Sequence, residues 1–156
     1  MSKQTKSSGF TFIELLIVTV IISVIIAVAI PRFRASYEQL QLNIDIGNLE
    51  SFINAARELA VLEERKLMLI YSEEDRAFSL FQETQNNEQT EWLPFDYPLG
   101  KPYHLKERIN IRISEEKIVF HTDGTIDECV IWLNNSIGQK LGLQINMTGN
   151  VLRLES

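Results

Sequence analysis

Residues Phe10–Ile30 read FTFIELLIVTVIISVIIAVAI, and 17 of these 21 residues are apolar. A helix rises about 1.5 Å per residue, so this stretch as a helix would be about 31 Å long, close to the thickness of a bilayer core. Its β-branched run Ile17–Ile22 would suit a strand in water, but a segment in lipid must satisfy its own backbone polar groups. The stretch therefore predicts a transmembrane helix.

Outside this span, 53 of the other 135 residues are apolar, as in a globular domain. The 156 residues are 45% apolar and 23% charged, with a net charge of −6, and a chain of this length usually forms a single domain. The nine residues before the span carry two lysines and no acid, so the remainder carries −8. This acidic body argues against binding to nucleic acid or to anionic lipid, both of which need a basic surface.

Two ordinary interpretations of the N-terminal segment are a signal peptide and a plain signal anchor. A signal peptide is favoured by the basic start and by Ala27-Val28-Ala29, which fits the A-x-A cleavage pattern. Against it, the apolar stretch exceeds the usual length of roughly 7–15 residues and contains Glu14. Two lysines precede the span and Arg32 and Arg34 follow it, so the positive charges do not fix the orientation.

A third interpretation explains a glycine and a glutamate that the other two leave unexplained. The run Lys6–Leu16, KSSGFTFIELL, resembles the processing site of type IV prepilins and type II secretion pseudopilins. In that family a membrane aspartyl peptidase cuts after the glycine that ends a short basic leader. The new N-terminal phenylalanine is methylated, and the fifth residue after the cut is glutamate. The resemblance implies a cleaved leader 1–9, a cut between Gly9 and Phe10, and N-methylation of Phe10. Pro31 matches a recurrent proline of the family.

Glu14 has two compatible roles in this interpretation. An ionisable residue within an apolar span is costly and by default indicates a function with a partner. The obvious partner is the amino group created at Phe10, in the same chain or a neighbouring one. The local alternative is helix capping, because Thr11-x-x-Glu14 has the spacing of a capping box and a carboxylate in the first turn suits the helix dipole.

After the span the chain stays helical in pattern but becomes polar. Apolar residues recur at three- and four-residue spacing in two sets, first Phe33, Tyr37, Leu40 and Ile44, then Ile46, Leu49, Ile53, Ala56 and Ala60, with Phe52 beside Ile53. We predict one helix from about Thr11 to Glu64, bent at Pro31 because proline removes a backbone hydrogen bond, with its apolar stripe shifting near Gly47. It divides into a transmembrane and assembly helix 10–31 and an amphipathic helix 32–65 that packs on the head, 66–156.

The head reads as about seven short, mostly antiparallel strands. They are predicted at 67–71, 77–81, 109–113, 117–121, 129–133, 141–145 and 151–154, separated by turns such as Thr122–Thr125. The predicted fold class is α+β, with a long N-terminal helix on a small antiparallel β head. We predict that the strand at 129–133, apolar on both faces, is central.

The head extends the resemblance. Ile118–Thr125, IVFHTDGT, resembles the F-x-P-D-G stretch of H-type minor pseudopilins and their minor-pilin relatives, although Thr122 stands in place of the proline. Leu143-x-Ile145 and Thr148–Val151 also fit that pattern. The single cysteine, Cys129, leaves no pair to close the C-terminal loop found in many major pilins, which favours a pseudopilin or minor subunit.

The segment Gln82–His104 fits no period, and we expect it to be irregular, with a mobile polar run at 85–90. It also contains four aromatic residues at Trp92, Phe95, Tyr97 and Tyr103. Aromatic residues in loops are typical of interfaces, but these could instead cover one sheet of the head.

The sequence offers no catalytic or cofactor-binding motif. Cys129 lies in an apolar strand and is expected to be a buried, inert thiol. Two histidines and one cysteine argue against a zinc site. Glu73-Glu74-Asp75 could hold calcium but is more typical of a solvated turn. We predict no cofactor, no metal and no enzymatic activity.

The resemblance implies a minor pseudopilin in the periplasmic pseudopilus of a type II secretion system. It implies that the N-terminus is cytoplasmic and that the head is periplasmic. The implied partners are other pseudopilins through the N-terminal helix, the prepilin peptidase and an inner-membrane assembly platform. One alternative is a minor pilin of a type IV pilus for adhesion, motility or DNA uptake. Another is a membrane-anchored periplasmic binding module or enzyme that works alone.

Overall fold

A computed structural model of the chain describes residues 11–86, 89–96 and 99–155. The chain divides into two compact units between Tyr37 and Glu38. The described part of the first unit is helical from Phe12 onward. The second unit contains the rest of the same helix and all of the described strands.

One long helix, α1, spans Phe12–Leu62 and continues through Pro31 and Gly47. It ends in a tight turn where Glu64 adopts a positive φ of 51° and the Arg65 N–H donates to the Ala60 carbonyl at 3.2 Å. A left-handed residue after the last turn is a common way to end a helix. The prediction of a single helix is confirmed.

Nine strands follow α1 among the described residues: β1 Leu67–Ser72, β2 Ala77–Asn86, β3 Gln89–Pro94, β4 Tyr103–His104, β5 Asn110–Ile113, β6 Lys117–Phe120, β7 Cys129–Asn134, β8 Lys140–Ile145 and β9 Val151–Glu155. They form two antiparallel sheets. The first has the order β3-β2-β1-β6, with β4 also paired to β2, and the second has the order β5-β7-β8-β9. The predicted α+β fold class is confirmed, and β7 is a central strand as predicted.

The hydrophobic core is shared by α1 and both sheets. In the second sheet, successive residues of β7 alternate between buried and partly exposed, as a strand with one face on a core must. Ile131 and Leu143 are directly paired and fully buried on the inner face. The core-facing residues of α1 are Leu42, Ile46, Leu49, Ile53, Ala56 and Ala60.

The second half of the predicted apolar stripe is confirmed, but its first half is wrong. Leu40 and Ile44 are 56% and 42% exposed, whereas Glu38 and Asp45 are buried. Both buried carboxylates have partners from distant parts of the chain: Ser136 for Glu38 and Lys106 for Asp45. Pairing of this kind allows acidic side chains to lie where sequence periodicity places apolar ones.

The expectation of an irregular segment at 82–104 is also wrong. Strand β2 extends to Asn86 and pairs with β3 up to the Asn86–Gln89 pair, and β4 pairs with the start of β2. The polar composition of this hairpin hides it, because neither strand shows the apolar alternation of a half-buried strand.

Candidate assembly segment and the head that carries it

The predicted processing site lies at the start of the chain. Gly9 and Phe10 lie outside the described residues, which begin at Thr11. Glu14 and Pro31 both lie on α1. The structure therefore gives the surroundings of Glu14 and Pro31, while cleavage and methylation remain predictions.

Thr11 caps the N-terminus of α1. The Glu14 backbone N–H donates to Thr11 Oγ1 at 3.3 Å, and the Leu15 N–H donates to the Thr11 carbonyl at 3.2 Å. This is the N-cap arrangement that the Thr11-x-x-Glu14 spacing predicts, and it satisfies one of the free N–H groups of the first turn. The bond uses the backbone of Glu14, so the carboxylate is not needed for it.

The other polar residues of the span satisfy themselves within the helix. Thr19 Oγ1 donates to the Leu16 carbonyl at 2.8 Å, and Ser23 Oγ donates to the Thr19 carbonyl at 2.7 Å. Such bonds remove the cost of a hydroxyl in an apolar medium. Glu14 is then the one ionisable side chain between Thr11 and Pro31.

The large apolar side chains of the span are 44–61% exposed from Ile13 to Ile30. Among the described residues, α1 is the single helix that is long and apolar enough to cross a membrane. Pro31 lies within the helix and lacks the N–H that would bond to the carbonyl four residues earlier. The bend at Pro31 stays a prediction.

In the head, a charged cluster joins α1 to the segment that follows β4. Lys106 Nζ lies 3.1 Å from Oδ1 of the buried Asp45 and also donates to Gln41 Oε1. The Tyr103 hydroxyl donates to the Asp45 carbonyl at 3.2 Å, and its ring lies 5.9 Å from that of Phe52. Burial, followed by the negative charge of Asp45, raises the pKa of Tyr103 to about 12.

Two further polar contacts join α1 to the second sheet. Ser136 Oγ donates to Glu38 Oε2 at 2.6 Å, and Arg57 Nη1 donates to the Gly149 carbonyl at 2.7 Å. Sequence reasoning missed these contacts because their partners are 98 and 92 residues apart. They position the helix on the head and provide no reactive group.

Cys129, His121 and Asp123 each contact other residues and do not form a shared reactive site. Cys129 is buried in β7, as predicted, with Ser114 Oγ 3.6 Å from its sulfur. Asp123 accepts hydrogen bonds from the backbone and hydroxyl of Thr125, which lower the pKa of its carboxyl. His121 lies 3.3 Å from Asp127 at the exposed surface. Among residues 11–86, 89–96 and 99–155, no group of three or more potential ligands could hold a metal ion.

The aromatic residues of 82–104 belong at least partly to the core. Phe95 is buried and Tyr103 packs against the core, while Trp92 on β3 is partly exposed. Tyr97 lies outside the described residues. The structure therefore favours the sheet-covering interpretation for Phe95 and Tyr103.

Comparison with known sequences identifies the N-terminal motif. A family model described as the prokaryotic N-terminal methylation motif matches residues 4–30, a range that includes Gly9, Phe10 and Glu14. No curated protein sequence matches the chain significantly.

Several solved structures share the fold of the chain. The minor pseudopilin EpsH from the type II secretion system of Vibrio cholerae aligns with a TM-score of 0.61 and 12% identity, covering 73% of this chain and 93% of that one. GspH of E. coli aligns at 0.57 and 17% identity, with coverages of 72% and 89%. The type IV minor pilin FimU of Pseudomonas aeruginosa aligns at 0.55 and 14% identity, with coverages of 76% and 91%. The resemblance drawn from the sequence is thus confirmed: the chain carries a prepilin methylation motif and has the fold shared by H-type minor pseudopilins and a type IV minor pilin.

Proposed function

We propose that the chain is a minor pseudopilin, a structural subunit of the periplasmic pseudopilus of a type II secretion system. The observation that carries the proposal is the combination of a methylation motif at residues 4–30 with a head of the EpsH and GspH fold. A subunit of this kind needs a removable leader, a helix that serves first as anchor and then as assembly segment, and a head that stays outside the membrane.

In this function the prepilin peptidase removes residues 1–9 and leaves Phe10 as a methylated N-terminal residue. The apolar part of α1 holds the subunit in the inner membrane, with the N-terminus cytoplasmic and the head periplasmic. An inner-membrane platform then moves the helix out of lipid and against the helices of other pseudopilins. There the carboxylate of Glu14 pairs with the amino group of a neighbouring Phe10.

The chemistry of the proposed cut fits the sequence. A glycine has no side chain, so the backbone at Gly9 can lie close to a peptidase. Cutting there removes both lysines of the leader and keeps the apolar span. A cut after Ala29 would instead discard the span and release the head.

Intact-mass measurement of the protein from its native membrane tests the proposal. The expected mass is that of a chain beginning at Phe10 with one added methyl group. Replacing Gly9 with a bulky residue should leave the uncut form in the membrane. A mature chain that begins at Ile30 would identify an ordinary signal peptide and contradict the proposal.

A second candidate is a minor pilin of a type IV pilus, which the likeness to FimU favours. Both candidates share the processing and assembly chemistry, so they are distinguished by the other subunits that the protein binds. Purification from the native envelope after crosslinking should recover secretion pseudopilins in the first case and subunits of a surface pilus in the second.

A further inference from the structure

The outer face of the second sheet has an unusual composition for a face that points away from the core. Strand register places ten residues there: Asn110, Arg112, Val130, Trp132, Asn134, Lys140, Gly142, Gln144, Leu152 and Leu154. Four of them are large apolar residues, and Leu152 is 50% exposed. We call these ten residues the outer face.

Trp132 lies flat at the centre of the outer face. It is paired with Arg112 on one side and with Gly142 on the other, and Gly142 is paired in turn with Leu154. A Cβ built on Gly142 would lie 2.9–3.1 Å from three consecutive atoms of the six-membered indole ring. A point so close to three ring atoms lies over the ring face rather than beside its edge. The missing side chain therefore lets the indole rest on the backbone of β8, with its other face turned away from the sheet.

The outer face is also basic, in contrast to the rest of the chain. Its charged residues are Arg112 and Lys140, both exposed, and it carries no carboxylate. The chain as a whole carries −6. Glu128 precedes β7, and Glu155 is paired with Leu141 on the inner side of the sheet.

We propose that the outer face binds a different polypeptide, whose contact surface has an apolar centre surrounded by acidic residues. Tryptophan and arginine are the residues that most often carry binding energy at protein interfaces. A basic rim selects an acidic partner surface, whereas two copies placed outer face to outer face would set Arg112 and Lys140 against like charges. Four strands about 4.8 Å apart, with about five residues each, give a face of roughly 14 by 17 Å, which is about a third of the roughly 800 Å² that each partner buries in a standard interface.

Thiol labelling of the full chain tests whether the outer face is covered. Cys129 is the single cysteine and is buried, so an introduced cysteine is labelled selectively. Leu152→Cys reports on the outer face, and Leu93→Cys on β3 is the matched control, because the two leucines are 50% and 43% exposed. In purified, detergent-solubilised protein both should react at similar rates. In native membranes, if about nine-tenths of the chains are bound, labelling of Leu152→Cys should slow about tenfold, while Leu93→Cys keeps its rate.

Charge reversal tests the chemistry of the partner. Adding Arg112→Glu and Lys140→Glu to Leu152→Cys should restore the labelling rate of the purified protein. The matched control reverses two exposed lysines elsewhere, Lys101→Glu and Lys117→Glu, and should leave the protection intact. Equal labelling of Leu152→Cys and Leu93→Cys in native membranes would overturn the proposal, as would protection that survives reversal of Arg112 and Lys140.

A photoreactive residue in place of Leu152 identifies what covers the face. A covalent product with a different polypeptide, joined at a segment that contains carboxylates, supports the proposal. A product between two copies of this chain, or one that contains glycan and no second polypeptide, overturns it. The result is independent of the proposed function, because cleavage after Gly9 can be measured in the same samples.

Discussion

At Glu14, the observed capping bond and the proposed assembly role belong to different atoms of one residue. Its backbone N–H donates to Thr11 Oγ1 at 3.3 Å, while its carboxylate is the one ionisable group in a span whose hydroxyls bond to helix carbonyls. Capping and assembly can therefore be separated by substitution. A change of the Glu14 side chain leaves the capping bond in place, and a change at Thr11 removes that bond and leaves the carboxylate.

We predict that Glu14→Gln and Glu14→Val reach the membrane and are cut after Gly9 but join neighbouring subunits poorly. An unpaired charge in the helix bundle of a filament costs several kcal/mol, so the pair acts as a check on axial register. Crosslinking to neighbouring subunits measures the defect. Thr11→Val is the matched control, and loss of its cap should cost about 1 kcal/mol of helix stability without the same assembly defect. Native levels of co-assembly in Glu14→Val would leave Glu14 with a local role only.

Two glycines with nearly the same φ permit a sharp stability test in the head. Gly138 and Gly149 have φ values of 87° and 80°. A Cβ at Gly138 would meet nothing within 4 Å, whereas one at Gly149 would lie 2.8 Å from Arg57 Nη1 and 2.9 Å from the Gly124 carbonyl oxygen. The two sites therefore share a left-handed φ and differ in the contacts that a Cβ would make.

We expect Gly138→Ala to lower the free energy of unfolding by about 1 kcal/mol, the cost of a left-handed alanine. Gly149→Ala should lower it by about 2–3 kcal/mol, because the hydrogen bond from Arg57 to the Gly149 carbonyl must also shift. Urea unfolding of the full chain in detergent, followed by tryptophan fluorescence, gives both values. Equal losses would mean that Arg57 adapts without cost.

At the scale of elements, the contact between Tyr103 on β4 and Asp45 on α1 makes the free energy of unfolding depend on pH. Burial raises the pKa of Tyr103 from its ordinary 10.0 to about 12, so the unfolded chain loses this proton at lower pH than the folded one. The free energy of unfolding should therefore fall as the pH rises through this window. The hydroxyl of Tyr103 also donates to the Asp45 carbonyl.

Tyr103→Phe separates these effects. At neutral pH the variant should be less stable by about 1 kcal/mol, because it lacks the hydrogen bond to Asp45. Between pH 10.0 and about 12 the stability difference from the wild type should narrow, since only the wild type loses the contribution of this proton. Denaturant unfolding at a series of pH values measures the trend. A constant difference across that range would show that Tyr103 titrates alike in both states.

Apolar periodicity predicted α1 and the alternating strand β5, and a continuous apolar run predicted β7. Periodicity failed where burial depends on distant partners. Glu38 and Asp45 are buried through Ser136 and Lys106, which lie far away in the sequence. It also failed at β3, where backbone pairing with β2 rather than an apolar face forms the strand. The motif at Gly9 and Phe10 could be recognised from sequence because its residues are neighbours in the chain, whereas the outer face appears only when strand register brings β5, β7, β8 and β9 together.

At the scale of the whole molecule, the head depends on the second half of α1. Hydrogen bonds and ion pairs connect the helix to the sheets at several points. One is the ion pair between Arg153 on β9 and Glu50 on α1, in which Nη2 lies 2.6 Å from Oε2. Exposed ion pairs of this kind contribute little to stability. The apolar side of α1 contributes far more, because each large side chain that is fully buried there stabilises the fold by about 1.5–3 kcal/mol.

We predict that a fragment 33–156 is soluble, folded and monomeric, whereas a fragment 66–156 aggregates. The shorter fragment lacks Leu42, Ile46, Leu49 and Ile53, each at most 1% exposed. Their burial contributes roughly 6–12 kcal/mol, which is comparable to the net stability of a whole domain, about 5–15 kcal/mol. Its loss also leaves the apolar faces of both sheets open to water. Sedimentation and circular dichroism compare the fragments, and adding a separate 38–65 peptide to 66–156 should restore the folded state. A stable, monomeric 66–156 fragment would show instead that the sheets close their core without α1.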